Sequence, residues 1–138
     1  MKKIFIDSDI IVDFLTQREP FDQHSSRVLN LCINEKVKGY ITPIIVSNIY
    51  YVLRKEIDSK ELKNKLKFLL NFLDVIKVDK NIILTALNSD FKDFEDALQN
   101  FSAIENSEID TILTRNVKDY KTSRLSVYTP ESFLKTLN

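Results

Sequence analysis

The sequence predicts an α/β fold with a central, mainly parallel sheet of four to five strands, and three observations support it. Short β-branched and aromatic runs are separated by helical stretches long enough for right-handed crossovers. The strand candidates are continuous apolar runs, as expected of strands covered on both faces. Two of them stop abruptly in polar residues, the pattern of strands that open onto a crevice at the carboxyl edge of a parallel sheet.

The first strand is Ile4-Phe5-Ile6, stopped by Asp7. Ser8 to about Gln17 reads as a helix capped by Ser8 or Asp9, and Asp9 and Asp13 share one of its faces. For Asp9, helix capping stands beside a role in a site, and for Asp13 solvent exposure is the expectation. Asp7 lies at the end of a hydrophobic strand, where a desolvated carboxylate needs a partner. After a turn at Glu19-Pro20-Phe21-Asp22, Gln23 to Asn34 has helical spacing through Val28, Leu31 and Cys32. His24, in the first turn of that helix, is expected at the surface, and as the lone histidine it cannot build a His-based metal cluster.

Gly39 to Thr42 is the second strand, stopped by Pro43, a residue suited to a helix's first turn. The helix from Ile44 to Lys55 is apolar on most sides, which predicts central packing, and Asn48 stands out in it as a polar, poor helix former. Ser59 to Leu73 is amphipathic, with Ser59 as cap and Leu62, Leu66, Leu69, Leu70 and Leu73 on its apolar face. Val75 to Val78 is the third strand, followed by a short helix from Lys80 to Asn88.

Asp93 and Asp96 have the spacing of a cap and an N3 acid for a helix reaching Ile104, where Ala97 and Ala103 allow close approach to the sheet. Ile109 to Thr114 is the fourth strand, with Arg115, Asn116, Lys118, Asp119 and Tyr120 just beyond it. Ser126-Val127-Tyr128 is an edge strand, and Thr129-Pro130-Glu131 carries the cap, N1 proline and first-turn acid of a last helix.

The 138 residues fit a single domain over 1–138, with 43% apolar residues for its core. Twenty basic and twenty acidic residues cancel, so nucleic-acid binding must come from a local patch. Cys32 is the only cysteine, which points to a reducing compartment and a buried thiol. Without a signal-peptide layout or a membrane-length apolar run, a cytoplasmic protein with no membrane partner is expected. The single glycine, Gly39, excludes a Gly-rich phosphate loop.

A parallel sheet lets the ends of the first and fourth strands meet the start of the Asp93 helix. That gathers Asp7, Asp96 and Asp119, with Asp9, Asn48, Thr114 and Asn116 nearby. Carboxylates crowded into one crevice pick up protons unless a cation neutralises them. Oxygen-only donors select Mg²⁺ or Mn²⁺, which activates water and stabilises charge on a phosphoryl oxygen. Phosphodiester hydrolysis follows as the expected chemistry, with Arg18, Arg54, Arg115 and Lys118 as candidate phosphate contacts.

Four motifs in order carry a resemblance: Asp7-Ser8-Asp9-Ile10 with Asp13-Phe14-Leu15; Ile41-Thr42-Pro43 leading to Tyr50-Tyr51-Val52-Leu53-Arg54; Asp93 to Gln99; and Thr114 to Tyr120. Together they resemble the PIN-domain family, from residue 3 to the Thr129-Pro130-Glu131 helix. The resemblance implies a three-layer α/β/α sandwich and a metal-dependent ribonuclease directed at single-stranded or loop RNA, similar to VapC-type toxins. It also implies a protein antitoxin as partner, whose inserted basic side chain would meet the acids. Asp7, Asp96 and Asp119 match the family's catalytic and metal-binding positions, with Asn116 beside them. Asp9 stands where the family commonly has Asn, Asn48 where it commonly has a metal-site Glu, and Asn116 where many members have Asp. The two Asn replacements remove charge, implying weaker metal binding and, as an alternative, a catalytically weakened RNA- or protein-binding module. The 44–55 and 59–73 helices could also feed a homodimer surface. Asp7-Ser8-Asp9 also looks like the start of a haloacid-dehalogenase-type phosphatase, but the later acid spacing and the single glycine fit that family poorly.

Overall fold

The computed structural model describes residues 1–106 and 108–137. Among them, five strands form one sheet: β1 (Lys2–Ile6), β2 (Val37–Ile41), β3 (Leu73–Val75), β4 (Thr111–Leu113) and β5 (Ser126–Tyr128). Their order is β3-β2-β1-β4-β5, with every neighbouring pair parallel. Helices α1 (Ser8–Thr16), α2 (Asp22–Ile33), α3 (Pro43–Leu53), α4 (Ser59–Leu69), α5 (Lys80–Leu87), α6 (Phe94–Glu105) and α7 (Pro130–Lys135) flank the sheet, and a 3₁₀ turn covers Val117–Tyr120. The architecture is the expected α/β sandwich.

β1 is the central strand, and its Ile4, Phe5 and Ile6 are fully buried. The chain adds β2 and β3 on one side of β1 and β4 and β5 on the other. The carboxyl ends of β1 and β4, paired through Ile6 and Leu113, therefore flank the point where strand order reverses, the crevice in which open α/β sheets bind ligands.

Several local expectations are corrected. Asp7, in extended conformation, caps α1 by accepting from the Ser8 N–H, leaving Ser8 and Asp9 inside the first turn. Asp58 takes the cap of α4 in place of Ser59, and that helix ends at Leu69, so β3 starts at Leu73 and not at Val75. The third strand is placed by its pairing of Gly39 with Leu73 and Ile41 with Val75. α3 is not central: Ile45, Ile49 and Leu53 are buried, whereas Tyr51 and Val52 are exposed. Asp13 is fully buried.

Gly39 is packed closely. A Cβ there would lie 2.6 Å from Leu73 Cδ2 and 2.9 Å from Cys32 Sγ. The Cys32 thiol is buried, and burial pushes its pKa up to about 12. Among the described residues, no helix is long and apolar enough to cross a membrane.

Candidate active site

Asp7 is fixed from both strands at the switch point. Its N–H donates to the Leu113 carbonyl at 2.9 Å, extending the β1–β4 pairing by one residue. Its Oδ1 accepts from Ser8 N–H at 2.7 Å and its Oδ2 from the Thr114 hydroxyl at 2.8 Å. Thr114 is fully buried and also accepts from the Asn116 N–H at 3.1 Å, so the residues after β4 are tied to the same carboxylate.

Asp96 enters from α6. The Asp93 carboxylate caps that helix by accepting the Asp96 N–H at 2.9 Å, which places Asp96 in the first turn facing the strand ends. Between the two acids stands Tyr120, 1% exposed, whose hydroxyl lies 3.2 Å from Asp96 Oδ1, 3.4 Å from Asp7 Oδ2 and 3.3 Å from Gln99 Oε1. A phenol has one proton, so it donates to one of the three acceptors at a time.

The electrostatics follow from this crowding. Burial, followed by the charge of Asp9, raises the Asp7 pKa to about 7. Burial, followed by the charges of Asp7 and Asp93, raises Asp96 to about 7 as well. Burial and the two carboxylates push the Tyr120 phenol far up, keeping it a donor.

Asp9 and Asp13 form a second acidic pair on the inward face of α1. Asp9 Oδ2 accepts from Arg115 N–H at 3.2 Å and from Asn116 Nδ2 at 3.5 Å. Arg115 Nε stands 2.9 Å from Asp13 Oδ2 as an ion pair without the alignment of a hydrogen bond, while Nη2 donates to Oδ1 at 3.5 Å. The guanidinium also stacks over the Phe21 ring at 4.0 Å. Burial raises the pKa of both Asp9 and Asp13, with Arg115 opposing the rise.

These elements line an open cavity of about 210 Å³ whose walls include Asp7, Asp9, Asn48, Asp96, Asn116 and Asp119. The structure thus gathers every expected acid and amide, with Thr114 buried behind Asp7. Asn48 is half-buried and donates to the Ser8 hydroxyl at 3.3 Å. Asp119 is exposed at the rim. None of Arg18, Arg54, Arg115 and Lys118 lines this cavity. Arg54 is folded over Tyr51, its guanidinium 3.8 Å from the ring and donating to the Tyr51 carbonyl. Sequence reasoning missed the roles of Tyr120 and Gln99. The only signal was a hydroxylated aromatic directly after the acid of the Lys118-Asp119-Tyr120 run.

The donor set is oxygen-only, and Asp9 Oδ1 is buried without a hydrogen-bond partner. Among the described residues, no group of three or more His, Cys, Asp or Glu side chains forms a metal-holding cluster. Two converging carboxylates still suit Mg²⁺, which is commonly held by one or two carboxylates while keeping water and substrate phosphate as its other ligands. The residues present therefore fit a hydrated divalent cation better than a closed three-acid cage.

The sequence pattern of the PIN domain matches residues 3–118. This chain belongs to the PIN domain family. As a PIN domain it is 29% identical over 142 residues to Ribonuclease VapC1 of Aquifex aeolicus (strain VF5), covering 99% of this chain and 96% of that protein. Its fold matches the VapBC2 structure from Rickettsia felis, bound to a promoter DNA fragment, with a TM-score of 0.68 at 17% identity, covering 92% and 98% of the two chains. A toxin-antitoxin complex from Klebsiella pneumoniae matches this PIN domain with a TM-score of 0.68 at 19% identity over 92% and 97%.

Proposed function

We propose that this PIN domain is a divalent-metal-dependent endoribonuclease that hydrolyses phosphodiester bonds in single-stranded or loop RNA, and that it is the toxin of a toxin–antitoxin pair. The observation that carries the reading is the convergence of Asp7 and Asp96 on one cavity at the switch point, where burial and then neighbouring acids, Asp9 for Asp7 and Asp7 with Asp93 for Asp96, raise both to about 7. A site that holds its acids at such a cost suits a cation.

In this reading Asp7 and Asp96 hold Mg²⁺ or Mn²⁺, and the ion, when bound, lowers the pKa of a water and stabilises charge on the phosphoryl oxygen. Tyr120 and Thr114 orient the two carboxylates through their hydroxyls. Asp119, at the rim, completes the shell through water or orients the attacking water. Asn48 and Asn116 supply neutral oxygens and amides at the cavity wall, with Asp9 adding charge beside Asn116. Arg18, Arg54, Arg115 and Lys118 remain the candidate phosphate contacts, with Arg115 already held by Asp13.

The similarity to VapC1, and to solved toxin–antitoxin complexes, supports a protein antitoxin as partner, with a basic side chain suited to the acid cavity. A homodimer surface is supported by Tyr51 and Val52, exposed on α3, and by Phe68 and Leu70, exposed on and just after α4. Sedimentation at high concentration tests it. A second reading, a binding module with weakened catalysis, is favoured by the uncharged Asn48 and Asn116 in the cavity.

The deciding experiment is cleavage of a structured RNA pool with Mn²⁺, with Mg²⁺ and with chelator, by wild type, Asp7→Asn and Asp96→Asn. Metal-dependent cutting by wild type and loss in both folded variants is expected. Equal cutting by all three proteins refutes the assignment, and no cutting by any favours the binding module.

A further inference from the structure

A second cavity, about 490 Å³, lies beside the acid cavity and shares Asn116 with it. The Arg115–Asn116 segment is the wall between them, pinned through the Arg115 N–H and the Asn116 side chain to Asp9. The volume falls in the range of about 300–1,000 Å³ typical of small-molecule sites.

Its lining has an unusual combination of groups. Phe21 offers a ring that is 38% exposed, with the Arg115 guanidinium stacked against it and that guanidinium held in turn by buried Asp13. Ser25, on the next turn of α2, is fully buried and lines the cavity, yet its Oγ has no hydrogen-bond partner. His24 also lines it, with a buried and unpartnered Nδ1, while its Nε2 lies 3.5 Å from Glu131. Buried polar atoms in native proteins are nearly always paired, and these two orphans belong to residues that line one cavity, which suits a ligand with a polar edge reached by a small side-chain turn. Glu131 repels a phosphate, and the Arg115 charge is already balanced by Asp13. The ligand is therefore flat, uncharged and polar at its rim.

We propose that this cavity is a nucleobase subsite, taking one unstacked base of an RNA strand whose neighbouring phosphate sits at the acid cavity. The base packs on the Phe21 and Arg115 surface and presents its edge to the side of the cavity formed by His24 and Ser25, the manner in which single-stranded bases are commonly read. The connection to a scissile phosphate rests on the ribonuclease reading above; the base site itself does not.

The test uses ¹⁵N-labelled protein in chelator, titrated with adenosine, guanosine, cytidine and uridine, and separately with inorganic phosphate. Saturable shifts of the Phe21, Ser25 and Asn116 amides with at least one nucleoside, and none with phosphate, are expected. Phe21→Ala should weaken that binding about five- to a hundredfold, the range for losing one base–aromatic stack. His24→Ala, at a half-exposed position, should weaken it severalfold and serves as the test if Phe21→Ala does not fold. In parallel, cut ends from a randomised single-stranded RNA pool should show a base preference beside the cut that flattens in His24→Ala. Cutting with no nucleoside shifts and an unaltered preference overturns the subsite and leaves the nuclease standing. Nucleoside shifts without any cutting refute the nuclease reading alone. Shifts produced equally by phosphate overturn the subsite in favour of an anion site.

Discussion

Asp7 and Asp96 meet at one phenolic proton: the Tyr120 hydroxyl is 3.4 Å from an oxygen of the first and 3.2 Å from an oxygen of the second. Tyr120→Phe keeps the ring, which packs edge-on against Phe91, and removes only the shared donor. Loss of such an outer-shell partner should weaken Mn²⁺ binding or cleavage by about 10- to 100-fold. Calorimetric titration with Mn²⁺ checks the binding half; an unchanged affinity together with unchanged cleavage rules out the orienting role.

Arg115 is the counter-charge of a fully buried carboxylate. Arg115→Ala takes the ion-pair partner from buried Asp13 and should cost about 3 kcal/mol of stability. Asp13→Asn should cost less, because the freed guanidinium, 27% exposed, can turn toward water. Urea denaturation of both variants gives the ranking, and the reverse order contradicts it.

The acid pair makes stability depend on pH. Both carboxyls are raised from 3.8 to about 7, so across that window the folded chain binds more protons than the unfolded chain. Metal-free stability should therefore fall as pH rises from about 4 to about 7 and level off above it. Melting in chelator should give a higher Tm at about pH 5.5 than at about pH 7.5, with a smaller difference in Asp96→Asn. Adding Mn²⁺ at the higher pH should restore Tm in wild type, since a ligand that binds only the folded state stabilises it.

Gly39→Ala tests the packing of β2. The added methyl would sit 2.6 Å from Leu73 Cδ2, 2.9 Å from Cys32 Sγ and 3.2 Å from Ile6 Cδ1. Overpacking of this kind should cost about 1–3 kcal/mol, read as a lower denaturation midpoint. Paired with Cys32→Ala, part of that loss should be recovered.

The features legible in the sequence were those that depend on local chemistry. Asp7 was readable because a carboxylate ending an apolar strand has few bland explanations. Asp93 and Thr129 were readable as caps because their partners lie within one turn. The third strand is displaced because the largely apolar stretch from Leu69 to Ile76, broken only by Asn71 and Asp74, has no Gly or Pro to mark where α4 stops, and only pairing with β2 sets the register. α3 looked central because its exposed Tyr51 and Val52 cannot be told from core residues by hydropathy. The convergence of acids was inferable from parallel topology, but the Asp13–Arg115 pair and the Tyr120 bridge were not. The bridge depends on a 3₁₀ turn that points Tyr120 inward and leaves Asp119 exposed at the rim of the cavity, a choice made by tertiary packing.

Asp7 receives the Thr114 and Tyr120 hydroxyls across separations of 107 and 113 positions. A ribosome therefore releases the first acid of the pocket long before the groups that orient it. Until β4 threads in beside β1, the nascent chain has carboxylates but no cavity. Whatever chemistry the acids perform is withheld until both ends of that span are folded together, and any ligand that needs the assembled pocket can engage only then.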